Sequence, residues 1–160
     1  MAEAIVYRPM NPGEEEAVCG LVARVFGEFV GQGYSEEGRQ EFLKYVQPDI
    51  LLARSAAGHV ILLAIVDGEN VGMIEMRGPD HVSLLFVEPR HHRRGIARGL
   101  LQHVLDLSLH DKPDLREVSV NSSPYAVPAY ERLGFRCIGP SEVKNGIEFV
   151  PMVLDVTRCS

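Results

Sequence analysis

Residues 86–106, FVEPRHHRRGIARGLLQHVLD, constrain the fold more than any other stretch of this chain. An apolar run ending at Val87 meets Pro89, crosses a basic segment, and resumes from Arg94 as a stripe of Ile96, Ala97, Leu100, Leu101, Val104 and Leu105. That stripe has helical spacing, so a strand here feeds a helix. Arg90, Arg93, Arg94 and Arg98 crowd the start of the helix, where the backbone dipole is already positive and cations are disfavoured. An anion would offset that charge. First-turn N–H groups lack intrahelical partners and can bind phosphate oxygens. Gly95 carries no Cβ to hold a ligand off, and arginine forks suit a diphosphate.

The flanking sequence places this unit in an α/β sheet. Segments 59–68, 69–78 and 81–89 are rich in Val, Ile, Leu and Phe and are separated by turn residues, with a short turn over 67–70. They predict three successive strands. Upstream, residues 5–10 predict a strand and residues 12–30 a helix; a glycine-broken loop follows, and Ser35 opens a second helix that Pro48 ends or kinks. Downstream, residues 117–121 predict a strand and 126–134 a short helix stopped by Gly134. Two last strands then turn near Lys144-Asn145-Gly146. The predicted order is β-α-α-β-β-β-α-β-α-β-β, a single domain over residues 1–160.

Composition narrows the function classes. With 46% hydrophobic and 24% charged residues the 160-residue chain reads as globular. A net charge of −6 argues against nucleic acid as the partner, because such binding rests on phosphate neutralisation. No apolar run approaches the roughly 18 residues of a membrane span. The opening MAEAIVYRPM lacks the pattern of a secretory signal, so cytoplasmic residence is expected. Cys19, Cys137 and Cys159 are odd in number and far apart, which suits reduced thiols. No metal is expected, since His91-His92 has no further ligand cluster at a useful spacing.

The phosphate ligand is narrowed by two absences. Neither the G-x-x-x-x-G-K-[ST] loop of nucleotide triphosphatases nor the G-x-G-x-x-G of dinucleotide folds occurs. By contrast, Val87-Glu88-Pro89 followed by His92-Arg93-Arg94-Gly95-Ile96-Ala97 resembles the Gln/Arg-x-x-Gly-x-Gly/Ala signature of the GCN5-related N-acetyltransferase family, with His92 departing from the Gln/Arg slot. VNSSPYAVPAYERLGF, residues 120–135, is similar to that family's later segment, with Asn121, Tyr130, Leu133, Gly134 and Phe135 at the corresponding places. The resemblance covers about residues 59–155.

That resemblance implies an acyl-CoA N-acyltransferase fold, α/β, with a mixed central sheet of six or seven strands and four helices. It implies acetyl-CoA as cosubstrate and direct transfer of acetyl to a primary amine. Main-chain groups of Leu85, Phe86 and Val87 would pair with the pantetheine arm, as an added strand does. His92, Arg93, Arg94, Gly95, Ile96, Ala97 and Arg98 would hold the diphosphate. Asn121 would contact the cofactor or cap a splayed strand. Tyr130 would be the general acid that protonates the departing thiolate.

For the amine's proton, Glu75 and His81 are the base candidates because they lie in or beside the central strands. Their alternatives are a solvated strand residue and a turn residue. The expected acceptor is a small-molecule or amino-acid-like amine, with selectivity from the N-terminal helices and the loop at 30–38. Phe26, Phe29 and Tyr34 would line that pocket or else fill core. A protein N-terminus or lysine is the alternative acceptor, and a catalytically silent CoA sensor the alternative function. A homodimer is compatible with the resemblance.

Overall fold

In the computed structural model, residues 4–158 are described. Eight strands and five α-helices follow one another as β1 (Ile5–Pro9), α1 (Glu15–Val25), α2 (Glu36–Tyr45), α3 (Pro48–Ala56), β2 (Val60–Val66), β3 (Glu69–Arg77), β4 (His81–Val87), α4 (Ile96–Asp111), β5 (Glu117–Ser122), α5 (Val127–Arg132), β6 (Arg136–Cys137), β7 (Glu142–Lys144) and β8 (Ile147–Asp155). The sheet runs β1-β2-β3-β4-β5-β8-β6, with β7 paired to β8 off that path. Pairing is antiparallel everywhere except between β4 and β5. Helix α4 makes that parallel step, the crossover that parallel strands require.

Strand alternation divides the core in two. Leu62, Ala64 and Val66 of β2 face α4, together with Ile74 and Met76 of β3. Ile61 and Leu63 of β2, Met73 of β3 and Leu84 of β4 face the other layer, where α1 brings Val18, Leu21, Val22 and Val25 and α3 brings Leu51. The expected stripe of α4 is observed: Ile96, Leu100, Leu101, Val104 and Leu105 are all buried. The β2–β3 and β7–β8 hairpin turns use the left-handed pair that matches strand twist. Asp67 and Gly68 have φ of 50° and 77°, and Asn145 and Gly146 have 54° and 79°.

The α/β class and the mixed sheet agree with the sequence, while the numbers of elements differ. Pro48, read as a terminator, is instead the first residue of α3. Proline suits that position because its missing N–H would have no helical partner. The C-terminal region supplies an extra short strand, β7, and α1 ends at Val25, with Phe26–Val30 wound as a π-helical turn. Cys19 is buried, and burial pushes its thiol up to about 11; Cys137 is exposed, and Cys159 lies outside the described residues. Among the described residues no helix is long and apolar enough to cross a membrane.

The β7–β8 hairpin docks its tip on the first turn of α2. Ser35 accepts the Gly38 N–H at 3.1 Å as N-cap, and its hydroxyl donates to the Gly146 carbonyl at 3.0 Å. Backbone meets backbone so closely that a Cβ on Gly38 would lie 2.2 Å from that carbonyl oxygen. Gly38→Ala would gain about 1 kcal/mol of helix propensity, but the overpacking costs about 1–3 kcal/mol and falls on backbone that cannot swing away. A net loss of stability in urea titration is therefore expected. A variant as stable as wild type would show that the tip can lift off α2 without cost.

Candidate active site

The site begins with a defect in the sheet. Strands β4 and β5 pair only at His81↔Ser119 and Val82↔Val120, after which β4 runs on to Val87 without its neighbour. On the other side of β4, a register shift opposes Glu75 to Leu84 and Met76 to Val82, which bulges Ser83. Bulges bend a strand and raise its twist. The sheet opens into a wedge here, with the backbone of 83–87 along one wall.

A cleft of about 760 Å³ occupies one side of the wedge. Its walls are Leu85 and Val87 of β4, His91, His92, Arg93 and Gly95 of the loop, Ile96, Ala97 and Arg98 of α4, and Ala126, Ala129, Tyr130, Arg132 and Leu133 around α5. Arg93 and Gly95 hold φ of 66° and 77°, a fold-back that places the start of α4 against the cleft. No heavy atom lies within 4 Å of a Cβ built on Gly95, so its left-handed backbone and not crowding calls for glycine there. Helix N–H groups and guanidinium groups meet in this cleft, a setting suited to a diphosphate.

The arginines do not all serve that cleft. Arg90 pairs with Glu69 at 2.9 Å and lies off it. Arg94, expected at the diphosphate, is absent from its walls; its Nη1 donates to His91 Nδ1 at 2.8 Å. Arg98 lines the cleft while donating to the Arg132 carbonyl at 2.7 Å, which ties α4 to the end of α5. Glu88, just after β4, pairs with Arg24 of α1. Part of the positive charge gathered over residues 90–98 is thus offset inside the protein, by Glu69 and by the Arg132 carbonyl.

A second cavity of about 170 Å³ lies beyond the wedge. Phe29, Val30 and Tyr34 come from the segment after α1, Phe42 from α2, Ser83–Val87 from β4, and Asn121, Ser123 and Tyr125 from β5 and the turn after it. Phe86 and Asn121, expected at the cofactor, line this cavity and not the larger cleft. Phe26 is core, stacked on Phe42 with centroids 4.0 Å apart. An outer chamber of about 430 Å³ shares Phe29, Val30, Tyr34 and Tyr125 and adds Glu148 of β8. Five residues line both the cleft and the inner cavity: Leu85, Val87, His92, Ala126 and Tyr130.

Tyr130 is 9% exposed and packs edge-on against Phe135, with ring centroids 5.4 Å apart. Burial, with a smaller contribution from nearby Tyr34, holds its phenol far above the usual tyrosine range. The phenol therefore keeps its proton throughout the neutral region.

Residues 30–156 match the family model of the acetyltransferase (GNAT) domain. The chain belongs to the GNAT acetyltransferase family. Among curated relatives, the uncharacterized N-acetyltransferase YafP of Escherichia coli strain K12 is 28% identical over 141 residues, spanning 88% of this chain and 87% of YafP. The fold matches a GCN5-related N-acetyltransferase structure from Rhodopseudomonas palustris at TM-score 0.81 and 21% identity, covering 97% of this chain and 98% of that one. It also matches the PaiA N-acetyltransferase of Thermoplasma acidophilum in complex with coenzyme A, at TM-score 0.74 and 19% identity, covering 95% and 99%.

Within this GNAT domain the two expected bases stand apart from Tyr130. Glu75 lies on the α1/α3 face of β3, wholly buried. Arg54 donates to it from Nε at 2.7 Å and from Nη2 at 3.0 Å, and His59 Nδ1 lies 2.7 Å from the same carboxylate. A carboxylate held in that way has no free face for a substrate proton. His81 begins β4, at the closed end of the wedge, with Nδ1 2.8 Å from the Ser119 hydroxyl. Burial, with Arg77 nearby, lowers its pKa. Neither residue lines the cleft or the two cavities. Sequence reading also missed Arg132, Phe42 and Tyr125 as wall residues; for Arg132 the signal was available, since it directly precedes Leu133-Gly134-Phe135. Among the described residues no cluster of His, Cys, Asp or Glu could hold a metal ion.

Proposed function

We propose that this GNAT domain transfers acetyl from acetyl-CoA to the primary amine of a small molecule with an apolar, uncharged body. The observation that carries the reading is the pair of spaces meeting at Tyr130, one basic and helix-capped, the other aromatic. The basic cleft would take the diphosphate at Arg93, Gly95, Ile96, Ala97 and Arg98. The unpaired edge of β4 at Leu85 and Val87 would take the pantetheine arm by main-chain bonds. A backbone N–H of that edge would polarise the thioester carbonyl, and Tyr130, which lines both spaces, would protonate the leaving thiolate.

The acceptor follows from what lines the inner cavity. Among the described residues its walls include no Asp, Glu, Lys or Arg. A polyamine's second cation, held inside this cavity, would meet no carboxylate on its walls, since Glu148 lines only the outer chamber, and burying it unpaired is costly in a small aromatic space. An apolar body gains from the rings of Phe29, Tyr34, Phe42 and Tyr125.

The test is thiol release from acetyl-CoA across an amine panel, with an enzyme-only blank for the exposed Cys137. Aryl- and alkyl-monoamines should turn over with kcat/KM at least tenfold above spermidine or lysine peptides. Preference for the charged acceptors would reverse the substrate class. Tight acetyl-CoA binding without release for any amine would favour the sensor.

A further inference from the structure

We propose that His92 is the base that takes the proton of the acceptor ammonium, an inference resting on the transferase reading above. The residue stands in the motif slot first read as a diphosphate ligand, yet its ring is turned toward β4. His92 Nε2 lies 2.9 Å from the Val87 carbonyl oxygen. A carbonyl only accepts, so Nε2 carries the hydrogen and Nδ1 of the neutral ring keeps a lone pair. Among the described residues no other hydrogen bond engages this side chain. The bond that orients the ring thus leaves its proton-accepting nitrogen available.

Placement supports the role. His92 lines both the cleft and the inner cavity, as Tyr130 does, so an acid and a base share the junction where thioester and amine would meet. The other ionisable side chains lining the inner cavity are the phenols of Tyr34, Tyr125 and Tyr130. Burial raises the phenols of Tyr34 and Tyr130, which suits them to keep protons. In the cleft, the charged or titratable neighbours are His91, Arg93, Arg98 and Arg132. His91 lines only the cleft, and its Nδ1 already accepts from Arg94. Glu88 is engaged with Arg24.

The proton balance closes without a further reactant. Directly or through one water, the ammonium yields a proton to His92 Nδ1, and the amine nitrogen attacks the thioester carbon. As the C–N bond forms and the C–S bond breaks, Tyr130 gives its proton to the leaving sulfur. The remaining excess N–H proton of the adduct returns to Tyr130 through water, and His92 releases its own to solvent. One amide, one free thiol and one proton result.

His92→Gln separates this role from diphosphate binding, because glutamine can donate to the Val87 carbonyl and is a residue that the family signature carries in this slot. Calorimetry with acetyl-CoA should show affinity within about threefold of wild type. Near neutral pH, kcat/KM for the best amine should fall about 100-fold, the lower range for a lost acid-base group. The acid limb of the pH–rate profile should move upward toward the amine's own pKa. In His92→Ala, added imidazole should restore part of the rate. An unchanged rate and limb in His92→Gln would overturn the assignment while leaving the transferase reading intact. Lost acetyl-CoA affinity at unchanged kcat would return His92 to the diphosphate. Wild-type protein that binds acetyl-CoA but acetylates no amine would overturn both readings together.

Discussion

Tyr130→Phe should lower kcat for amine acetylation by a factor of at least 10, and up to about 10⁴, while acetyl-CoA affinity stays within twofold. The range is that of a positioned proton donor. The separation of effects follows from the geometry. Phenylalanine keeps the ring that packs on Phe135 and walls both spaces, so the substitution removes a hydroxyl and little else. Because burial raises the phenol, wild-type kcat should also show no loss of this donor on the alkaline side of neutrality, where an ordinary tyrosine would begin to ionise. Single-turnover acetyl transfer measured on both proteins checks the point. Equal rates would leave Tyr130 as packing alone and require another donor for the thiolate.

Glu75→Gln should destabilise the protein by about 3–5 kcal/mol, the range for breaking one partner out of a buried ion pair. The carboxylate is wholly buried, bidentate with Arg54, and close to His59. Arg54 is itself mostly buried, donates from Nη1 to the Tyr45 carbonyl at 2.6 Å, and lies 3.5 Å over the Tyr45 ring. Losing the negative charge would strand a guanidinium among apolar side chains. A double variant, Arg54→Met with Glu75→Leu, should recover much of the loss, since desolvation of two ions offsets most of what their attraction contributes. Urea unfolding of the two variants gives the comparison. A single variant within about 1 kcal/mol of wild type would mean that water reaches the pair and screens it.

Local patterns in the sequence were read correctly where a short stretch carries its own physics. The Asp67-Gly68 and Asn145-Gly146 turns, the period-2 strands and the stripe of α4 are examples. Helix α3 leaves little local signal: a proline at 48 can stop one helix or start the next, and Leu51 is the one buried residue of α3. Site geometry was legible only at the motif that leads into Gly95. The role of Glu75 depends on Arg54 and His59, 21 and 16 residues away, a pairing that no local spacing reveals. The motif slot of His92 points to the diphosphate, whereas its ring direction depends on the Val87 carbonyl, five residues earlier at the end of β4. The inner cavity draws on Phe29, Phe42, Phe86 and Tyr125, contributed by four separate segments.

The two rungs joining β4 to β5 have a mechanical meaning. They stitch an N-terminal half-sheet, β1 to β4, to a C-terminal half built on β5 and β8, with α4 as the covalent bridge. The seam is weakest where the ladder would be longest in an uninterrupted sheet. An extended molecule bonded along the bare edge of β4 would supply rungs that the chain omits, so loading such a molecule and consolidating the two halves draw on the same hydrogen bonds. On the proposed reading, a bound cosubstrate would complete the part of the sheet that β5 leaves open.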